Sequence, residues 1–157
     1  MRSITEVDGR LRFSTLLGNV NIYRLFLERS LQLVAAGGRV RMIVPDSLMR
    51  EKSSVPLRKL IVEQNGWDSA WSFPENQRVF PGVSQGVLVI GVTVNGKTSG
   101  LTSYGPLEKT DISPDSGLNP RAPALELERG PWAAWTDMTW AVPRMPRAEQ
   151  ERRKVLK

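Results

Sequence analysis

Between residues 20 and 35 the apolar positions recur at helical spacing. Val20, Tyr23, Leu27, Leu31 and Val34 are separated by three or four residues and fall on one face, with Arg24, Glu28 and Gln32 to one side. Asn19 or Asn21 can cap the start, and Gly37-Gly38 offers a left-handed stop. The period then changes to two. Val40, Met42 and Val44 alternate with Ile43, which predicts a strand over 39–44 that ends at Pro45-Asp46. Ser54 is placed to cap a second helix, with Pro56 in its first turn and Leu57, Leu60 and Ile61 inward, closed by Asn65-Gly66. Strands follow at 67–73 and 86–94, the latter with a nearly continuous apolar centre that suits burial on both faces. Asn95-Gly96 reads as a two-residue hairpin turn into a weaker strand over 98–104. A helix, a strand, a helix and then several strands make an α/β fold.

Residues 106–123 are rich in Pro, Ser, Asp and Gly and read as a linker or long surface loop. Beyond them, 124–157 holds Trp132, Trp135 and Trp140 and a charged run from Arg147 to Lys157. The tryptophans are read as a docking surface for a neighbouring domain and the run as a solvated helix end. Three segments are therefore expected, 1–105, 106–123 and 124–157, with no internal repeat.

Composition narrows the chemistry. The 157 residues include no Cys and no His. That removes disulfides, zinc and iron–sulfur clusters, thiol nucleophiles and every histidine-based triad or general base. No metal is expected. The net charge of +6 is uneven, with balances of +5 over 1–66, −2 over 67–117 and +3 over 118–157. Basic flanks around a mildly acidic centre favour an anionic partner. No apolar run approaches the roughly 18 residues of a membrane span, and 1–10 lacks the apolar stretch of a signal peptide, so a cytoplasmic protein is expected.

Asn21 to Met49 (NIYRLFLERSLQLVAAGGRVRMIVPDSLM), the leucine-bearing helix after it, and Val79 to Val92 (VFPGVSQGVLVIGV) come in the order of a known family. Together they resemble the middle of adenine-specific DNA methyltransferases of restriction–modification systems, with the gamma-type motif order and the restriction–methylation fusion type included. The later W-x-V-P-R, Trp140 to Arg144, resembles the stretch before that family's target-recognition domain. The resemblance implies a partial Rossmann-like methyltransferase sheet: one parallel strand with flanking helices plus an antiparallel strand pair at the edge. It implies S-adenosylmethionine as methyl donor, DNA as substrate, and two partners, a complementary N-terminal half and a target-recognition domain.

It also implies a role for Phe80, in a loop where the family carries an aromatic that stacks on an adenine rotated out of the duplex. Val79 and Pro81 would support the loop. The alternative is that Phe80 folds back onto the sheet. Asp46, just past a strand's carboxyl end, is read as a turn or cap, and Asn21 as a cap.

Two family features are missing. There is no G-x-G, so the donor's glycine loop is absent, and there is no Pro-Pro pair, so the catalytic Asn-Pro-Pro-Tyr is absent. No catalytic residue is assigned, and the chain alone is expected neither to bind the donor nor to catalyse. The competing readings are a non-enzymatic basic module for nucleic acid or a partner, and half of an RNA or protein methyltransferase.

Overall fold

The structure is a computed structural model and describes residues 13–18, 21–113, 115, 117–119 and 124–143. The expectations for Asn19, Val20, residues 1–10, Arg144 and the run from Arg147 lie outside these residues.

The first helix, α1, spans Ile22–Leu33, and Asn21 caps it by accepting the Tyr23 amide on Oδ1. Leu27 and Leu31 are buried, and Tyr23 and Val34 pack beside them, as the spacing requires. The helix stops at Val34, before the glycine pair. Gly37, at φ +79°, instead makes the turn into β1, Arg39–Pro45. Its amide donates to the Val94 carbonyl while the Val94 amide donates to Gly38, fixing the turn to the sheet. The second helix, α2 (Val55–Gln64), starts with Pro56 in its first turn and buries Leu57 and Ile61. Ser54 precedes it without a side-chain cap, because its hydroxyl is engaged 3.3 Å from the Tyr23 hydroxyl.

Four further strands complete the main sheet: β2 (Gly66–Phe73), β3 (Val87–Thr93), β4 (Gly100–Tyr104) and β7 (Leu125–Glu128). Their order is β1-β3-β2-β4-β7, with β5 (Ile112–Ser113) and β6 (Gly117–Leu118) forming a separate small ribbon. The expected α/β class and the antiparallel β2–β3 pair are present. The pairings around them differ from expectation. β1 runs antiparallel to β3 and has no second neighbour among the described residues, so the parallel contact in this sheet is β2 with β4. The β2–β3 pair is consequently central.

The Asn95-Gly96 turn forms, with Asn95 at φ 53°, but it closes no hairpin. The Asn65 side chain accepts the Asn95 amide at 3.0 Å. The Thr98 hydroxyl donates to the Asn65 carbonyl and accepts the Trp67 amide. Tied to the start of β2, the chain passes to the far side of that strand and runs parallel to it. β7 then adds antiparallel to β4, a strand that the sequence pattern did not suggest.

All three described helices, including α3 (Arg129–Trp135), pack on one face of the sheet. Their core joins Leu27, Leu57, Ile61, Ile90 and Leu101 to Trp67, Trp132 and Trp140. Trp132 and Trp140 are thus interior and do not form a docking surface. Their rings meet edge-on at 5.1 Å, and their indole N–H groups donate to the Ala141 carbonyl and to Glu63. Amphipathic indoles can be buried because each finds an acceptor. Trp135 remains outside, 64% exposed.

Arg58 is buried beneath this core. Its Nε donates to the Thr139 carbonyl at 2.8 Å, and one guanidinium nitrogen donates to Leu48 and Glu51 carbonyls at 2.8 and 2.9 Å. Burial lowers its pKa to about 10, which leaves it charged at neutral pH. It staples α2, the turn after β1 and the segment after α3 together.

Candidate base-binding loop and unpaired sheet edge

Phe80 lies in the loop between β2 and β3. A 3-10 turn at Glu75–Gln77 leads to Arg78 in the left-handed region (φ 43°), and Gly82 (φ +76°) follows the aromatic. The Val83 amide donates to the Phe80 carbonyl, closing a tight turn around Pro81 and Gly82. Val79 and Val83 fold inward onto a small cluster of Phe73, Val87 and Leu107. The valines on either side anchor the loop and leave Phe80 37% exposed, with Pro81 exposed beside it. Together with Glu75 and Arg78 they line an open recess of about 440 Å³.

The loop is also held from the β1 side. The Asp46 amide donates to the Gly86 carbonyl, and Asp46 forms an ion pair with Arg50 at 3.0 Å. Asp46 is therefore a turn and bracing residue. A methyl group on Gly86 would come within 2.5 Å of the Asp46 carboxylate, so only glycine permits this approach. Tyr23 and Asn21 serve the fold, as described above.

Two buried charges on α1 escaped the sequence pattern because they sit beside its apolar stripe. Glu28 accepts bonds from the amides and hydroxyls of both Ser14 and Thr15. Arg24 donates to the Ser53 carbonyl at 2.7 Å. They clasp the segment before α1 to its flank.

The second functional feature is what α1 and β1 leave uncovered. Ile22, Phe26 and Leu33 form an outward stripe on α1, 67, 65 and 69% exposed. At 100° per residue this stripe lies well away from the Leu27–Leu31 face, and a helix apolar on two faces is normally buried on both. Beside it β1 carries an unpaired edge, and Ile43 is half exposed. An apolar, unpaired strand edge is a template for a further strand.

S-adenosylmethionine does not fit the described residues. The donor's glycine loop would lie between a strand and a helix, whereas Gly37-Gly38 lies between a helix and a strand and is spent on Val94. Among the described residues there is also no group of acids that could hold a metal ion, and no helix long and apolar enough to cross a membrane.

Residues 10–80 match the family described as Eco57I restriction-modification methylase. The proteins the chain resembles include methyltransferases and restriction enzymes. The Type II methyltransferase M.PaeR7I of Pseudomonas aeruginosa is 38% identical over 57 residues, which is 36% of this chain and 10% of the relative. Among solved structures, the M protein of the Type I restriction enzyme EcoKI superposes with a TM-score of 0.56 at 12% identity. It covers 92% of this chain and 46% of its own. The type IIG restriction endonuclease BpuSI gives 0.55 at 18% identity, over 86% of this chain and 17% of its own. A structure of a type I restriction–modification assembly gives 0.56 at 14%, over 85% and 37%. At these identities the structures establish the shared fold. The chain spans a tenth of the curated relative and less than half of each structure.

Proposed function

We propose that the chain supplies the part of an S-adenosylmethionine-dependent DNA adenine-N6 methyltransferase that lies beyond the catalytic tetrapeptide, in a restriction–modification or related defence setting. In this reading the donor site and the Asn-Pro-Pro-Tyr motif come from a complementary half, on the same polypeptide or another. A target-recognition domain chooses the DNA sequence, and the setting is cytoplasmic. The observation that carries the reading is the unpaired edge of β1 beside the exposed stripe Ile22, Phe26 and Leu33. A polypeptide that adds a strand there also covers the stripe, and the carboxyl end of β1 would continue a larger sheet's rim, where ligands of open α/β sheets bind.

Within that enzyme, Phe80 supplies one π-face for the extruded adenine. Flipping a base forfeits its stacking in the duplex, and an aromatic surface restores part of it. The anchoring of Val79 and Val83 supports this role, because it fixes the loop without consuming the ring. The donor, when bound to the complementary half, provides the methyl group. This chain's contribution is to hold the base.

The test is reconstitution. The chain is combined with a polypeptide bearing the glycine loop and Asn-Pro-Pro-Tyr, and transfer of labelled methyl groups to DNA adenine is followed. Transfer is expected from the pair and not from the chain alone, which is also expected to give no calorimetric signal with micromolar donor. Methylation or micromolar donor affinity by the isolated chain would overturn the reading, as would a reconstituted pair that remains inert.

A further inference from the structure

The recess beside Phe80 holds a charge that base stacking does not use. Residues 67–117 contain three cations, Arg78, Lys97 and Lys109, and of these Arg78 lines the recess, with Glu75 as the acid on its wall. Both are exposed. They stand three residues apart, a separation at which helical neighbours pair, yet among the described residues no ion pair joins them and the Arg78 guanidinium has no other partner. The backbone explains this. Arg78 takes the left-handed conformation (φ 43°, ψ 49°), which ends the 3-10 turn and breaks the helical alignment of the two side chains.

That conformation is held from both sides. Before Arg78, the Gln77 side chain accepts the Lys109 amide at 3.0 Å, and after it Val79 packs on Phe73, Val87 and Leu107. The Arg78 amide itself donates to the Glu75 carbonyl at 3.0 Å. A left-handed residue with a side chain is uncommon, and it persists where its surroundings fix it. Phe80 is two residues further on, so the two Cα atoms are at most about 7 Å apart. One open recess of about 440 Å³ thus presents a π-face and a guanidinium with its donors unspent. These suit the two ends of a nucleotide: the ring takes the base, and the planar fork takes a phosphate.

We propose that Arg78 binds a phosphate of the same nucleotide whose base stacks on Phe80. This rests on the reading of Phe80 given above and adds to it a second contact, made to the DNA backbone. Glu75 sets the polarity of the site, because its carboxylate disfavours phosphate on its own side of the recess and leaves the side of Arg78 for it. A phosphate contact carries no base information. Arg78 therefore fixes where the extruded nucleotide sits and leaves the choice of base to the rest of the enzyme.

The chain is titrated by NMR with three probes: deoxyadenosine, its 3′,5′-bis(methylphosphate), and the base-free sugar carrying the same two phosphodiesters. Binding in the millimolar range is expected, with the phosphorylated nucleoside about fivefold tighter than deoxyadenosine, the upper end for one exposed ion pair. Arg78→Gln should erase that advantage and leave deoxyadenosine binding as it was. Phe80→Ala should bring the nucleotide down to the level of the base-free probe. Lys97→Gln makes the same charge change beyond the opposite end of the β2–β3 pair and should alter neither. In the reconstituted enzyme, Arg78→Gln should raise the KM for DNA by a similar factor at constant kcat, because the contact is equal before and during methyl transfer.

A nucleotide that fails to bind, one no tighter than deoxyadenosine, or an advantage that survives Arg78→Gln would each overturn the proposal. So would an equal loss from Lys97→Gln, since the effect would then belong to net charge. An active reconstituted enzyme indifferent to Arg78→Gln would remove this inference alone. An inert reconstituted enzyme, with the Arg78-dependent preference still present in the isolated chain, would instead remove the methyltransferase reading alone.

Discussion

Replacing Arg58 with methionine isolates the contribution of one buried cation. The substitution keeps most of the side-chain length and removes three donated bonds, to the carbonyls of Thr139, Leu48 and Glu51. Hydrogen bonds from a charged donor contribute about 1.5–3 kcal/mol each, and a carbonyl left buried without a partner carries its own desolvation cost. The gain from no longer burying a guanidinium offsets part of this, so a net loss of about 3–5 kcal/mol is expected, the range for breaking a buried charged contact. Against a total stability of about 5–15 kcal/mol, that is a large fraction. At about 2–4 °C per kcal/mol for a chain of this size, Tm should fall by roughly 6–20 °C. The loss should also be local. Thr139 lies between α3 and Val142, whose amide donates to Met49, so this segment should become the first site of proteolytic cleavage. Arg58→Lys should recover only part of the loss, because a point ammonium cannot reproduce the planar fork. An Arg58→Met protein melting within 3 °C of the native chain, with the same cleavage pattern, would refute this account.

In the reconstituted enzyme, Phe80→Ala should lower the methylation rate or DNA affinity by roughly 5- to 150-fold, from about 1–3 kcal/mol of lost stacking, while Phe80→Trp keeps most of it. Donor affinity and Tm should barely move, and a Phe80→Ala enzyme with native kinetics ends the stacking role. Glu28→Ala should strand four donors of Ser14 and Thr15, which hydrogen exchange would register as lost protection over 13–17 with α1 otherwise unchanged. Phe26→Glu should suppress association of the isolated chain in sedimentation and weaken its capture of the complementary half. Unaltered behaviour in both would show that the α1 stripe is not an interface.

What the sequence revealed and what it hid divide along a physical line. Periodic features were legible. The Leu27–Leu31 face, the alternation of Val40 and Val44, the apolar β3 and the Asn21 cap all follow from local spacing, and the structure contains each of them. Features set by distant partners were not. Nothing local to Asn95-Gly96 says that the Asn65 side chain will hold its amide and send the next strand past β2. Nothing local to Trp132 and Trp140 says that Ala141 and Glu63 wait to accept their indole protons. Glu28 and Arg58 look like surface charges on amphipathic helices until their carbonyl and amide partners, from 7 to 81 residues away, are in place.

The loop carrying Phe80 combines the two kinds of information. Its sequence, a valine on either side of Phe-Pro-Gly, is local, and the inward turn of both valines explains how the aromatic can be left outside on a fixed support. The cluster that receives them needs β2, β3 and Leu107 from beyond β4. The same long-range assembly pairs β1 with β3 and leaves its outer edge without a neighbour among the described residues. The helix-bearing face is braced by Arg58 and packed with three buried tryptophans. The apolar side chains left exposed near β1, Ile22, Phe26, Leu33 and Ile43, are the surface that the proposed complementary half would bury.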